Sequence, residues 1–468
     1  MTLNSHQPHY PGIPLNELGK LFYSWEQLGF CAMVRIRFEL EGGAIHIQLL
    51  RQAYTILIKR RPILNATIVK GPSRRGWDLR WMPRNITDPQ QAVRLCEFSD
   101  LSADAAEDKI REIQFDPFMD YSSHKDPPFF MVLCKESDGR HTLLVFIHHA
   151  LTDASGIGVI LQDLFNTYNQ LAAGLIVDDS DCHDPCAAPS PLLPESRSRR
   201  FIKVLGALTF LTGLFIKSRG QTPVKILYGK NTFLSKTAAV LREVSAEQFS
   251  QYRSAAKRLG TGLNSFLVVA QIAAIDRWKR ERKEKSGLIS MNIHTGLHPV
   301  QSNSGDLSNR FSTLIIHTYP QHRTSLKALV QHVHQELDKV QRRGIAEKLI
   351  CLLWLLDTRI GAKTVPLWGN FLFNNPRIGD SSLATNLGRL WAGPDNKTII
   401  TSLGGAEITA CYMAGPPTPS IGSYFVYLTF NDRLYFTFNY FDWALSDADA
   451  RLFVDMFEKI LDELAGYP

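Results

Sequence analysis

The sequence lacks most of the signals that assign a protein to a class at once. Its N-terminus, MTLNSHQPHYPG, has no apolar core and does not read as a secretory signal. Its longest apolar stretch, about fifteen residues within FIKVLGALTFLTGLFIKSRG, is short for a comfortable membrane span. No zinc-finger spacing and no aromatic-glycine RNA-binding signature is present, which argues against a nucleic-acid partner. No repeat of fixed period appears. Cysteine is sparse: seven in 468 residues, odd in number and mostly scattered, which favours free thiols in a reducing cytoplasm. Cys182, His183 and Cys186 form the one cluster, DCHDPC. They lie in a Pro-rich loop with no second half-site nearby, whereas zinc usually takes four ligands, so no metal is expected.

Charge of one sign is in only mild excess. A net +7 and a pI near 8.9 over this length suit an anionic small molecule or a membrane surface as well as they suit nucleic acid. Hydrophobic content of 44% with 21% charged residues is that of a soluble globular protein. A chain of 468 residues is too long for one ordinary core, so two lobes are expected.

Residues 1–175 read as a first lobe of mixed strand and helix. CAMVRIRFEL alternates as a strand before Gly42-Gly43, and IHIQLLRQAYTILIKRRPIL carries apolar residues at helical spacing up to Pro62. PPFFMVLCK and HTLLVFIHH are two apolar strands joined by the turn ESDGR. A helix beginning near Ser155 places Ile157, Ile160, Leu161, Leu164, Phe165 and Tyr168 on one face and stops at Gly174. Residues 176–230 change character. A Pro- and Ser-rich crossover leads into the apolar segment 201–217, read first as a helix packed on its own protein or lining a channel. Its basic flanks make peripheral membrane contact the alternative.

Residues 231–468 repeat the mixture. GLNSFLVVAQIAAIDRWKRERKEK reads as a helix with a solvated, charged end. SYFVYLTF and RLYFTFNYF form a hairpin about Asn431-Asp432. A last helix starts at Ser446, with Leu452, Phe453, Met456, Phe457, Ile460, Leu461 and Leu464 on one face. Strands interleave with helices in both halves, so the fold class is mixed α/β.

The stretch FIHHALTDASG stands out. His148 and His149 end an apolar strand, and Asp153 and Gly156 follow at the start of a helix, where side chains can face a cleft. A histidine there suits a general base because its pKa lies near neutrality. The bland alternatives are satisfied structural histidines, a local metal set with Asp153, or Asp153 as a helix cap, which its position fits. Gly156 permits a close backbone approach.

HHALTDASG resembles the HHxxxDG signature of the condensation-domain and acyltransferase superfamily, whose fold is similar to chloramphenicol acetyltransferase. RRPIL at 60–64, FDPFMD and DPPFFMVL within 115–133, SGDLSNRFSTL at 304–314 and LATNLGRL at 383–390 resemble further segments of that superfamily in the same order. The likeness to alcohol acetyltransferases, polyketide-associated acyltransferases and wax-ester synthases implies two lobes, each a mixed sheet flanked by helices, with the site in a tunnel between them. The sequence departs from the pattern twice. Ala154 follows the aspartate where glycine is usual, and His294, in SMNIHTGLHP, stands where an arginine often pairs with that aspartate; Arg310 is a substitute.

The resemblance implies acyl transfer from a thioester to a hydroxyl or amine, with His149 as general base. His148, Asp153 and Gly156 would support the turn, and Asn386, His294 and Arg310 would contact substrate. No metal and no bound cofactor are implied. The donor would be acyl-CoA or a phosphopantetheine-linked acyl group, with an acyl carrier protein as a conceivable partner to the small-molecule acceptor. A monomer is expected. The absence of adenylation or carrier segments from this sequence favours an O-acyltransferase acting on a lipid or secondary metabolite. The alternatives are a free-standing condensation enzyme that forms an amide, and a degenerate member that binds without catalysis.

Overall fold

The structure, a computed structural model, describes residues 12–71, 78–84, 88–115, 122–136, 138–178, 192–193, 196–226, 236–297, 307–357, 379–392, 398–416 and 421–466. The first lobe opens with β1 (Ile13–Pro14), α1 (Glu17–Gln27), β2 (Met33–Glu41) and α2 (Ile47–Arg60). A 3-10 turn at Pro62–Asn65 leads to β3 (Ala66–Lys70), β4 (Leu79–Pro83), α3 (Pro89–Ala92), β5 (Val93–Phe98) and α4 (Ala103–Phe115). The hairpin β6 (Phe129–Glu136) and β7 (His141–His148) then delivers the chain to α5 (Ala154–Ala172). α6 (Arg197–Ser218) lies between the lobes in sequence.

The second lobe begins with β8 (Thr237–Val244), α7 (Ala246–Arg258), α8 (Leu263–Glu281), β9 (Ile289–Gly296) and β10 (Phe311–Thr318). There follow α9 (Leu326–Arg342), α10 (Ile345–Ile350), a 3-10 segment at Cys351–Asp357, and β11 (Ser382–Arg389). β12 (Ser402–Leu403), β13 (Ala406–Ala414), β14 (Ser423–Phe430), β15 (Arg433–Phe441) and α11 (Asp447–Ala465) complete the described elements.

Among the described residues the strands form two six-stranded sheets, in the orders β12-β13-β2-β7-β6-β5 and β10-β9-β11-β14-β15-β8, and a small sheet β1-β4-β3. β7 sits in the middle of the first sheet with all eight residues buried, which is why HTLLVFIH reads as an unbroken apolar run with no alternation. β10 alternates instead, with Ser312, Leu314, Ile316 and Thr318 buried, as a strand with one covered face should. The hairpin at Asn431-Asp432 has positive φ at both turn residues (46° and 59°), the type I′ geometry that matches strand twist.

Four expectations need correction. First, a boundary at residue 230 assigns everything after it to the second lobe, yet β13 pairs antiparallel with β2, Met413 opposite Ile36, and so belongs to the first sheet. Local pattern cannot reveal a strand's distant partner. Second, in α11 Leu452 is exposed and Val454 is buried in its place, because the stripe is centred on Phe453, Phe457, Ile460 and Leu464. Third, the charged end of α8 is not simply solvated. Lys279 is buried on Glu284 at 2.5 Å, and Asp276 pairs with Arg323 at 3.0 Å. Fourth, α6 is 22 residues long, long and apolar enough in length and composition to cross a membrane, and it is mostly exposed. It does not line the central cavity.

One core crosses from lobe to lobe. Leu383, Tyr424, Val426 and Leu428 of the second sheet pack in the same cluster as Val34 and Ile147 of the first sheet and Ile157 and Phe165 of α5. Arg61, at the end of α2, is buried and reaches Asp163 of α5 at 2.7 Å, which anchors the helix that follows the histidine turn.

Candidate active site

β7 ends at His148, and its hydrogen-bonding partner strand fixes the position: His148 lies opposite Met33 of β2. The chain then turns through Ala150–Thr152 and enters α5 at Asp153. The two histidines leave this turn in different directions.

His148 is fully buried. Its Nδ1 accepts the Ala150 N–H at 3.1 Å, and its Nε2 donates to Glu26 Oε2 at 3.0 Å. One proton, on Nε2, satisfies both contacts. Glu26 Oε1 accepts the Ser123 N–H at 2.9 Å and the Ser123 hydroxyl at 3.0 Å. Burial alone would raise the Glu26 pKa, but the bonds from His148 and Ser123 outweigh it and hold the carboxyl below its usual value. This histidine is a tie between β7 and α1.

His149 faces the cavity. Its Nδ1–H donates to the Thr152 carbonyl at 2.9 Å, which leaves Nε2 as the nitrogen with a lone pair to offer. Phe22 stacks on one side (centroids 4.1 Å apart, planes at 16°), and Phe311 lies 5.5 Å away at 24°. Burial pushes the pKa down to about 4, with the Thr152 carbonyl and Asp153 pulling the other way. At neutral pH this imidazole is therefore an uncharged acceptor.

Asp153 caps α5 and joins it to the second lobe. Oδ1 accepts the N–H groups of Ser155 at 3.0 Å and Gly156 at 3.4 Å. Oδ2 accepts the main-chain N–H of Arg310 at 2.8 Å. What Arg310 brings to Asp153 here is thus a backbone donor. Its guanidinium Nε goes to Ser308 Oγ at 3.1 Å, and Arg310 is not among the cavity-lining residues. Gly156 is needed for space. A Cβ there would sit 1.9 Å from Thr152 Oγ1 and 3.2–3.3 Å from the Leu307 backbone, so α5 can press this closely on the second lobe only without a side chain.

The second lobe supplies the opposite wall. β11 runs parallel to both β9 and β14, and its register with β9 brings Thr385 beside His294. Thr385 Oγ1 and His294 Nδ1 are 3.0 Å apart. Burial, and next the nearby His149, push the His294 pKa down to about 3. Asn386 lines the cavity with its Oδ1 occupied by the Gly388 N–H at 2.9 Å, where β11 breaks register. The cavity between the lobes holds about 410 Å³ and brings together His149, Asp153, His294 and Asn386, four of the residues singled out in the sequence.

Sequence reasoning missed Glu26, Phe22, Phe311 and Asn309. Asn309 Nδ2 donates to the His149 carbonyl at 2.6 Å, and its own carbonyl accepts from Asn16, the cap of α1, at 2.9 Å. Asn309 lies inside SGDLSNRFSTL, so the segment was visible although the residue was not. Glu26 and Phe22 carried no local signal, because the histidines they touch lie more than a hundred residues away. Cys182, His183 and Cys186 lie outside the described residues.

Known proteins resemble this chain in part of its sequence and in its fold. Residues 33–184 match the family model for the condensation domain. A stretch of 162 residues, 34% of this chain, is 26% identical to nonribosomal peptide synthetase 8 of Aspergillus fumigatus and spans 2% of that protein's length. The first condensation domain of the CDA synthetase superposes with a TM-score of 0.67 at 14% identity, covering 98% of this chain and 97% of that one. Trichothecene 15-O-acetyltransferase TRI3 from Fusarium sporotrichioides superposes with a TM-score of 0.71 at 9% identity, covering 97% and 95%. Polyketide synthase associated protein 5 from Mycobacterium tuberculosis gives 0.62 at 12%, covering 98% and 99%. Residues 33–184 thus match the condensation-domain model in sequence, and along almost its whole length the chain is similar in fold to condensation domains and to the TRI3 acetyltransferase.

Proposed function

We propose that this protein transfers an acyl group from a thioester to the hydroxyl of an apolar acceptor, with His149 as general base. The observation that carries the reading is the state of His149: uncharged, with Nδ1–H held by the Thr152 carbonyl and the ring clamped by Phe22 against a largely apolar cavity. The donor would be acyl-CoA or an acyl group on a carrier's phosphopantetheine.

The step balances within the site. The acceptor O–H gives its proton to His149 Nε2 as its oxygen attacks the thioester carbonyl, forming a tetrahedral oxyanion. Collapse of that intermediate breaks the C–S bond. The departing thiolate, whose conjugate acid has a pKa near 8.5, takes the proton back from the imidazolium. A base with a pKa near 4 is weak for this task, so the mechanism needs the proton to move as attack occurs. Asp153 sets the turn through three main-chain N–H groups. His294 and Thr385 face the reacting centre from the other lobe.

A second reading is favoured by the condensation-domain match: amide formation between carrier-bound partners. One experiment separates the two. Acetyl-, octanoyl- and palmitoyl-CoA, and the same acyl groups on a carrier protein, are offered with a lipid and alcohol extract and with amine acceptors, and products are identified by mass spectrometry for wild type and His149→Ala. Ester formed only by the wild type supports the first reading. Turnover only with carrier-bound donors and amine acceptors supports the second. Equal background from both proteins with every donor would sink both and leave a binding protein.

A further inference from the structure

α6 carries its apolar residues on the outside. At about 100° per residue, Phe201, Ile202, Leu205, Leu208, Phe215 and Ile216 fall within one arc of roughly 140°. All six are 46–68% exposed. Val204 and Ala207 lie beyond one edge of that arc and are buried, where the helix packs against α10 and the 3-10 segment after it. Nothing among the described residues covers the outer face. A contiguous exposed apolar patch of this kind marks a docking surface.

Charge indicates what docks there. The helix contains no acidic residue. Arg197 and Arg199 stand exposed at its start, and Lys217 and Arg219 at its end. A separate observation points the same way. Lys217, Arg219 and Lys285 share a cleft of about 700 Å³ at the C-terminal end of α6, and among the described residues no Asp or Glu lines it. A second copy of the chain is a poor occupant. A two-fold pairing of this helix with itself would oppose one basic end to another, on a protein that already carries +7.

We infer that α6 seats the protein on an anionic bilayer, with its apolar face in the membrane interface and lipid phosphates at the Lys217–Arg219–Lys285 cleft. The inference does not depend on acyl transfer. It does bear on it: the cluster under α6 includes Leu18 and Ile350, with Phe311 and Leu353 at its edge, and all four line the central cavity. On the acyl-transfer reading, an apolar acceptor would therefore have a short apolar route from the bilayer to His149.

The test is co-sedimentation of the full chain with vesicles of phosphatidylcholine alone, and with vesicles containing about one-third phosphatidylglycerol. The wild type should partition at least tenfold more strongly onto the anionic vesicles, and high salt should weaken binding. Lys217→Glu/Arg219→Glu should lose about thirtyfold. Leu208→Ser/Phe215→Ser should lose at least about tenfold. Melting temperatures identify any variant that fails to fold, and the charge variant stands as the test if the apolar one does not fold. His149→Ala should bind like wild type, which keeps this result apart from the catalytic one. Equal partition onto both vesicle types would overturn the inference, as would wild-type binding by both folded double variants. A wild-type dimer in sedimentation equilibrium that Leu208→Ser/Phe215→Ser converts to monomer would also overturn it, by assigning the face to a second copy.

Discussion

His149 lies flat against Phe22, their ring centroids 4.1 Å apart and their planes 16° from parallel. Phe22 is buried in α1, far from the histidine in sequence, and it shields one face of the imidazole from water. Phe22→Leu should leave the fold intact at a cost of about 1–2 kcal/mol. Water admitted to the ring should raise the His149 pKa from about 4 toward its usual 6.5. In the wild type the base form persists down to about pH 4, so the acid limb of kcat/KM should lie there and move upward in Phe22→Leu. An imidazole titration by NMR checks the same shift without activity. A His149 that titrates near 6.5 in the wild type would refute the enclosed site.

Glu26 buttresses His148, and its depressed pKa is a stability statement. A carboxyl held below its unfolded value stabilises the fold above that value and loses the benefit as pH falls. Glu26→Gln should cost roughly 2 kcal/mol at pH 7. The gap between wild type and variant should narrow as pH drops below about 4.5, the group's unperturbed value. Urea midpoints across pH 3–7 measure it; a pH-independent gap would rule out the ionised pairing.

Gly156 tests how closely the lobes approach. Gly156→Ala should destabilise by about 2–3 kcal/mol, because the new Cβ meets Thr152 Oγ1 at 1.9 Å. In a Thr152→Ala background that clash is gone and only the 3.2–3.3 Å approach to Leu307 remains, so the penalty should fall by at least half. A double-mutant cycle from thermal melts reads the coupling. Additive effects would mean that the backbone relaxes some other way.

Asn309 joins the second lobe to the histidine turn through the His149 carbonyl. Asn309→Ala removes a buried donor and should cost about 1–2 kcal/mol. If the hydrogen bond positions His149, kcat should fall by about tenfold or more while substrate KM changes little. Loss of stability with kcat intact would restrict Asn309 to a structural tie.

The resemblance of HHALTDASG to a superfamily signature, together with the order of the accompanying segments, pointed to the fold class, and the comparisons and the sheet topology agree with it. The face of α5, the hairpin at Asn431-Asp432 and the cap at Asp153 were readable for a physical reason: each is set by interactions within a few residues. The misjudged Leu452 lies at the edge of a stripe, where periodicity alone cannot say which margin the neighbouring sheet covers.

Within HHALTD, short-range pattern identified a turn with two histidines and an aspartate, but it could not divide their roles. Tertiary structure did that, by placing Glu26 against His148 and Phe22 against His149 from a helix more than a hundred residues away. It also decided that β13 completes the first sheet, and that Asp153 receives a main-chain N–H from Arg310. It left the apolar face of α6 outside the core. Sequence by itself determined the elements and the chemistry available at the turn, because local propensity and residue type are carried by neighbours along the chain. The environment of each ionisable group was decided by residues distant in sequence, since desolvation and pairing depend on what packs against it in space.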